Sequence, residues 1–171
     1  MKKFNMSLQQ MLSLGIWERV EQPSTVYHMT DRKNLDSILT SRKIISDHDY
    51  ITWFFTSTDN MLLFAELSNA YVGRKYWDYD GKLHTAPPLI PADTVVLKLH
   101  PRYSEPLYWY REKNKITEEN MWEHGGGRDL EDTRERWEKF DNCRICHYGA
   151  LKFKDDYELI EYADLLEPEQ R

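Results

Sequence analysis

The pattern of apolar and polar positions along the chain predicts mainly strands, with a few short helices between them. Strands are expected where β-branched and aromatic residues concentrate, and helices where apolar residues recur every three or four positions. The expected strands cover residues 24–30, 43–45, 50–58, 94–100, 106–112, 147–153 and 157–166. The expected helices are a short amphipathic segment containing Leu8, Met11, Leu12 and Ile16, then residues 31–41, a segment from Thr58 to Gly73, and a short helix over 130–140.

Two segments lack such a pattern and are expected to be loops. Residues 74–93 combine a glycine, three prolines and mixed polarity, and residues 113–142 are highly charged, with HGGGRD in the middle. Helices therefore gather early in the chain and strands late, which is typical of an α+β fold. We expect a single domain over 1–171: a split sheet of about six strands, mixed or antiparallel, with helices on its flanks and residues 113–146 as a loop or helical insertion.

Composition narrows the classes of function. The chain has 171 residues, of which 40% are hydrophobic, so it can fold around a substantial core. Its formal net charge of −6 argues against broad electrostatic binding to nucleic acid or to an anionic membrane, although a local basic groove remains open. No stretch predicts a membrane segment, and two cysteines give no disulfide framework. We therefore expect a cytoplasmic protein.

Three short segments carry candidate chemistry. An apolar run ends in YHMT (27–30), just before a helical pattern. The second segment, FFTS (54–57), is followed by a helix that contains AELSNAY (65–71). The third, ELIEY (158–162), lies near the end of the chain. Each segment alone is weak evidence for function, so their order along the chain carries the prediction.

In residue type and order these segments resemble the ADP-ribosyltransferase superfamily, in the branch that places a His, an aromatic residue and a Glu on three strands. The pattern NLDSIL (34–39) after His-x-Thr is similar to DNA-targeting ADP-ribosyltransferase toxins of toxin–antitoxin pairs. The resemblance implies that NAD is the substrate and that ADP-ribose is transferred to a macromolecular acceptor, either protein or nucleic acid. It also implies a bacterial toxin or a phage effector.

The resemblance assigns NAD-binding roles to His28, Thr30, Phe54 and Tyr71. A neutral imidazole such as His28 can bind a ribose hydroxyl, and an aromatic ring such as Phe54 can stack on nicotinamide. Thr30 adds a hydrogen bond to the ligand, and Tyr71 lies near the nicotinamide. No metal is expected.

The same resemblance makes Glu158 the catalytic carboxylate, together with His28. Breaking the bond between nicotinamide and ribose builds positive charge on the sugar, which a carboxylate stabilises. We expect His28, Phe54 and Glu158 to lie on three strands and to converge on one cleft. Because side chains alternate along a strand, only one of Glu158 and Glu161 can face that cleft, and Glu158 is chosen because it opens the strand.

Other hypotheses use the same segments. The main alternative is a non-catalytic interaction module on the same fold that blocks a host protein. An RNA 2′-phosphotransferase of that fold would need paired arginines, and a nuclease would need clustered carboxylates for Mg²⁺. The segment CRICH (143–147) has the spacing of a haem attachment motif, and Cys143, Cys146 and His147 leave a zinc site open. Arg128, in the glycine-rich loop, is a candidate for substrate selection.

Overall fold

The computed structural model describes residues 7–21, 23, 25–46, 51–77, 82–102, 105–124 and 127–171. Its helices are α1 (Leu8–Ser13), α2 (Leu35–Ser41), α3 (Thr58–Leu67) and α4 (Leu130–Asp141). Its strands are β1 (Trp17–Arg19), β2 (Val26–Asp31), β3 (Lys43–Ile44), β4 (Ile51–Phe55), β5 (Lys75–Trp77), β6 (Leu83–Thr85), β7 (Thr94–Leu99), β8 (Tyr108–Tyr110), β9 (Arg144–Tyr148), β10 (Leu151–Lys152) and β11 (Glu158–Glu161). Short 3-10 turns cover Arg32–Asn34, Ala70–Val72, Pro91–Asp93, Glu112–Lys115, Met121–His124, Tyr162–Leu165 and Pro168–Gln170.

Seven of the described strands form one sheet in the order β1–β8–β9–β4–β2–β7–β11. Every described pair of neighbours in it is antiparallel. Strands β3 and β10 form a small separate sheet, and β5 and β6 another. The α+β class and the antiparallel sheet are therefore confirmed, whereas a mixed sheet is not found among the described strands.

The two sides of the large sheet are covered by different helices. The side that carries Phe54 and Leu97 is packed by α2, and we call it the α2 side. The opposite side carries Phe55 and Val96 and packs against α3, and we call it the α3 side. Residues that lie opposite each other in an antiparallel pair share a side of the sheet, and consecutive residues along a strand alternate between the sides. The register therefore assigns each strand residue to the α2 side or the α3 side.

Strands β2 and β4 meet in the middle of the sheet over a single residue pair, Tyr27 with Phe55. By contrast, β2 pairs with β7 over six residues and β4 with β9 over five. The imidazole of His28 bridges the two strands just past that pair, since its Nδ1 lies 3.0 Å from the carbonyl oxygen of Trp53. Strands β2 and β4, which carry His28 and Phe54, therefore share the fewest paired residues of any two neighbours in this sheet.

Helix α3 follows β4 almost without a loop because Ser57 caps it. The Ser57 hydroxyl accepts the backbone N–H of Asn60 at 3.1 Å, which satisfies one of the free donors at the start of the helix. Asp129 caps α4 in the same way, through the N–H of Asp132 at 2.8 Å. Both helices therefore begin directly after a Ser or Asp that caps them.

Several expected boundaries differ from the structure, and three of them change how an element is described. The segment expected as a loop over 74–93 contains the β5–β6 hairpin. The strand expected over 147–153 begins earlier, at Arg144, and is divided after Tyr148 by Gly149, whose φ of 91° favours glycine. The last strand ends at Glu161, because the chain turns there into the 3-10 segment Tyr162–Leu165.

Candidate functional site

His28 is held between two strands as a neutral imidazole. A carbonyl oxygen only accepts hydrogen bonds, so Nδ1 of His28 donates to the Trp53 oxygen at 3.0 Å and the other ring nitrogen, Nε2, is an acceptor. Burial lowers the pKa of His28, and the bond to Trp53 offsets this only in part. The residue is partly buried and its Nε2 is suited to accept a hydrogen bond from a hydroxyl group.

Phe54 lies beside His28 on the α2 side, and their ring centres are 5.5 Å apart. The ring is fully buried and packs in a core with Leu97 and Ile145, against which Leu35 of α2 also packs. A ring without exposed surface cannot stack on a ligand. The structure therefore brings Phe54 to His28, as expected, but as its packing support.

Thr30 lies two residues beyond His28 on the same side of β2. Its hydroxyl oxygen is 3.5 Å from Nδ2 of Asn34, and the residue is partly buried. Thr30 pairs with Val95 of β7, and Val95 pairs with Glu161 of β11. Because neighbouring strands lie about 4.8 Å apart, the backbones of Thr30 and Glu161 are separated by roughly 10 Å.

Glu158 faces away from His28. It pairs with Lys98, and Lys98 pairs with Tyr27, so these three side chains share the α3 side while His28 lies on the α2 side. The Glu158 carboxylate is exposed and lies 3.6 Å from Nζ of Lys98. The expectation of three separate strands is confirmed, but the expectation that His28, Phe54 and Glu158 converge on one cleft is wrong for Glu158.

Glu161 is the glutamate of β11 that shares the α2 side with His28 and Thr30. Its carboxylate forms an ion pair with the guanidinium of Arg32, which also donates to the carbonyl oxygen of Ala92 at 3.2 Å. The hydrogen bond from Arg32 lowers the pKa of Glu161, which keeps it ionised. Arg32 was not among the residues that the sequence singled out.

Tyr71 belongs to the α3 side. Its hydroxyl lies 3.0 Å from the hydroxyl of Tyr162, a fully buried residue that packs with Phe55. Burial, followed by this hydrogen bond, raises the pKa of Tyr162. Within the described residues no hydrogen bond or ring contact joins Tyr71 to His28, so the structure does not bring these two predicted NAD-binding residues together.

The segment CRICH does not assemble a metal site. Cys146 and His147 are consecutive in β9 and therefore point to opposite sides of the sheet. His147 uses both ring nitrogens, Nδ1 with the carbonyl oxygen of Pro106 at 2.7 Å and Nε2 with the carboxylate of Glu105 at 2.8 Å. No group of three or more His, Cys, Asp or Glu in the described part of the chain is arranged to hold a metal ion.

A second group of chemically notable residues lies on the α3 side and was missed by sequence reasoning. The guanidinium of Arg144 lies over the ring of Trp53, 4.1 Å from its centre, with Phe64 and Tyr110 nearby. Arg74 approaches the same Phe64 ring. Arg74 and Arg144 are 70 positions apart in a chain rich in charged residues, so no motif marks them as partners.

Comparison with known proteins adds no assignment: no family model, no curated protein and no solved structure matches this chain. Among the helices described, none is both long and apolar enough to cross a membrane.

Proposed function

We propose that this protein is an NAD-dependent ADP-ribosyltransferase that modifies a macromolecule, either protein or nucleic acid. The observation that carries the proposal is the contact between His28 and Phe54, at 5.5 Å between ring centres, across two adjacent strands that each lead into a helix. This arrangement agrees with the order of segments by which the sequence resembles that superfamily. A role as a bacterial toxin or phage effector is part of the same proposal.

The role of His28 in the proposal is to bind a ribose hydroxyl of NAD. The ring is held in one orientation by the Trp53 carbonyl, and its neutral Nε2 accepts a hydrogen bond. Thr30, on the same side, supplies a hydroxyl that both donates and accepts. Phe54 packs beside His28 and fixes its position, so that it acts through His28 and has no contact with nicotinamide.

The carboxylate of the proposal is Glu161, in place of Glu158. Glu161 shares the α2 side with His28, and Arg32 keeps it ionised. In the reaction the bond between nicotinamide and ribose breaks and its electrons leave with nicotinamide. The acceptor then bonds to the sugar carbon and loses a proton, and a carboxylate near the sugar stabilises the positive charge that develops.

The experiment is a measurement of nicotinamide release from NAD by the pure protein, with proteins and nucleic acids offered as acceptors. Glu161→Gln should lower the rate by roughly 100-fold or more, because the developing charge loses its anionic partner. Glu158→Gln is the matched control from the same strand and should change little. Loss of activity in Glu158→Gln with full activity in Glu161→Gln would reverse the assignment of the two glutamates.

The second candidate is a non-catalytic interaction module on the same fold that binds and blocks a host protein. The observation that favours it is the full burial of Phe54, whose ring therefore offers no exposed face to nicotinamide. Calorimetry with NAD separates the two candidates. Binding that His28→Ala weakens supports the transferase, and no binding to the wild-type protein supports the module.

A further inference from the structure

Two arginines on the α3 side of the sheet share one aromatic ring. The central guanidinium carbon of Arg144 lies 5.2 Å from the centre of the Phe64 ring, and that of Arg74 lies 5.9 Å from it. Arg144 also lies 4.1 Å from the ring centre of Trp53 and 5.8 Å from that of Tyr110. Aromatic rings thus hold the Arg144 side chain in place, and a ring face is not a conventional hydrogen-bond acceptor for its N–H groups.

Neither arginine forms an ion pair with a carboxylate among the described residues. No ion pair or side-chain hydrogen bond of Arg74 or Arg144 is found there, and Nε of Arg144 is buried without an acceptor. The carboxylate that acts on Arg144 electrostatically is Asp141. Its two oxygens already accept the backbone N–H groups of Glu112 and Lys113, at 3.0 and 3.1 Å.

The other arginines of the protein show how unusual this is. Arg74 is exposed as a residue, but its guanidinium is partly removed from water. This burial is the main cause that lowers the pKa of Arg74, and the positive charge of Arg144 is the second. The net charge of the chain is −6, so carboxylates are in excess. Arginines elsewhere use them, as in the pairs Arg32–Glu161, Arg42–Asp155, Arg111–Glu18 and Arg136–Asp132.

We propose that Arg144 and Arg74 bind the phosphate group of a ligand on the α3 side of the sheet. Guanidinium groups match phosphate oxygens in both charge and the spacing of their N–H donors. A phosphate supplies the acceptors that Arg144 lacks and relieves the repulsion between the two arginines. The site is separate from the proposed transferase site, because His28 and Phe54 lie on the opposite side. Free phosphate, a nucleotide and a nucleic acid backbone all offer this group.

The test is calorimetric titration of the full chain, at low salt, with pyrophosphate, ADP and a short single-stranded DNA. The wild-type protein should bind at least one of the three, more weakly as salt is added. Arg144→Gln and Arg74→Gln should each weaken binding about tenfold or more, since each removes a charged hydrogen-bonding group. Arg136→Gln, which alters an exposed arginine of α4, is the control and should bind as the wild type does.

Each result decides something about the site. Similar affinity for pyrophosphate and ADP identifies a free phosphate site, tighter binding of ADP a nucleotide site, and binding of DNA alone a nucleic acid site. Absence of binding for all three probes, or wild-type affinity in both variants, overturns the proposal. If Arg144→Gln fails to fold, Arg74→Gln decides, because Arg74 lies outside the core.

A further variant separates this proposal from the proposed transferase. His28→Ala should leave pyrophosphate binding unchanged, whether or not NAD binds to the other side of the sheet. Failure of NAD binding therefore does not count against the phosphate site, and failure of phosphate binding does not count against the transferase. Loss of pyrophosphate binding in a folded His28→Ala protein would contradict the separation of the two sites.

Discussion

Trp53 and Phe54 are consecutive in β4 and face opposite sides of the sheet. Phe54 is fully buried on the α2 side among aliphatic side chains. Trp53 is only partly buried on the α3 side, and the guanidinium of Arg144 covers its ring. One strand thus separates a closed apolar core from a region where aromatic rings hold a charge. The comparison shows that similar residue types next to each other in sequence can pack a core on one side and hold a cation on the other.

The polar groups of the two sides differ in the same way. On the α2 side, His28 is neutral and its Nδ1 has a partner in the Trp53 carbonyl. On the α3 side, Nε of Arg144 is buried without an acceptor. A buried donor without a partner costs about 1–3 kcal/mol of folding stability. Among the described residues, the buried side-chain donors without a partner, Trp17 Nε1 and Arg144 Nε, therefore both lie on the α3 side.

The largest expected effect contrasts the two neighbours in β4 directly. Phe54→Ala should lower the free energy of unfolding by about 3–5 kcal/mol, because it leaves a cavity in a closed core. Trp53→Ala should cost clearly less, since part of that ring is already exposed and a water can fill part of the space. Urea unfolding of both variants measures the difference. Equal losses would mean that the two sides of the sheet do not differ in packing.

The sequence predicts the strands of this comparison but not their arrangement. Residues 26–31, 51–55 and 94–99 stand out by their apolar and β-branched character, and all three form strands. Their order in the sheet depends on pairing between distant segments, which no local pattern specifies. The hairpin of β5 and β6 was missed because its strands are only three residues long and adjoin a proline-rich segment.

The candidate site was predicted in part for the same reason. The sequence displays two strand–helix units, but the adjacency of His28 and Phe54 was expected only from the resemblance in the order of the segments. Alternation separates Glu158 from Glu161, but which of them faces His28 depends on the register of β11 against β7. That edge strand has a glutamate on each side, so its pattern alone does not identify the buried side. Arg74 and Arg144 meet only through tertiary packing.

The next effect concerns two tyrosines of the α3 side. Tyr71→Phe should cost about 1–3 kcal/mol of stability, because it leaves the buried hydroxyl of Tyr162 without its partner. Tyr162→Phe should cost about 1 kcal/mol or less, since the exposed Tyr71 hydroxyl can then bind water. Urea unfolding of both variants gives the order. The reverse order would show that the Tyr162 hydroxyl finds another partner when Tyr71 is changed.

A smaller effect is the pH dependence that His28 contributes on the α2 side. Its pKa is about 6.5 in the unfolded chain and lower in the folded protein, so the folded state binds fewer protons between these values. Its contribution to stability is therefore complete above pH 6.5 and is lost as the pH falls below it. The loss of stability between pH 7 and pH 5, measured by urea unfolding, should be smaller in His28→Gln than in the wild-type protein. An unchanged loss would assign the pH dependence to other groups.

The last effect is the opposite pH dependence of Asp141, the carboxylate that interacts electrostatically with Arg144. Burial raises its pKa from 3.8 to about 6, although two backbone N–H groups favour the charged form. The folded protein thus takes up a proton near pH 6 and the unfolded chain only near 3.8, so this group adds stability as the pH falls from 6 towards 4. Asp141→Asn should remove that gain. Its stability relative to wild type should decrease on acidification from pH 7 to 4.5, whereas Asn142→Ala, a neighbouring change that removes no titrating group, should give a constant difference. A constant difference for both variants would mean that Asp141 stays ionised in the folded protein, held by its two backbone donors, and that Arg144 has a permanent carboxylate nearby.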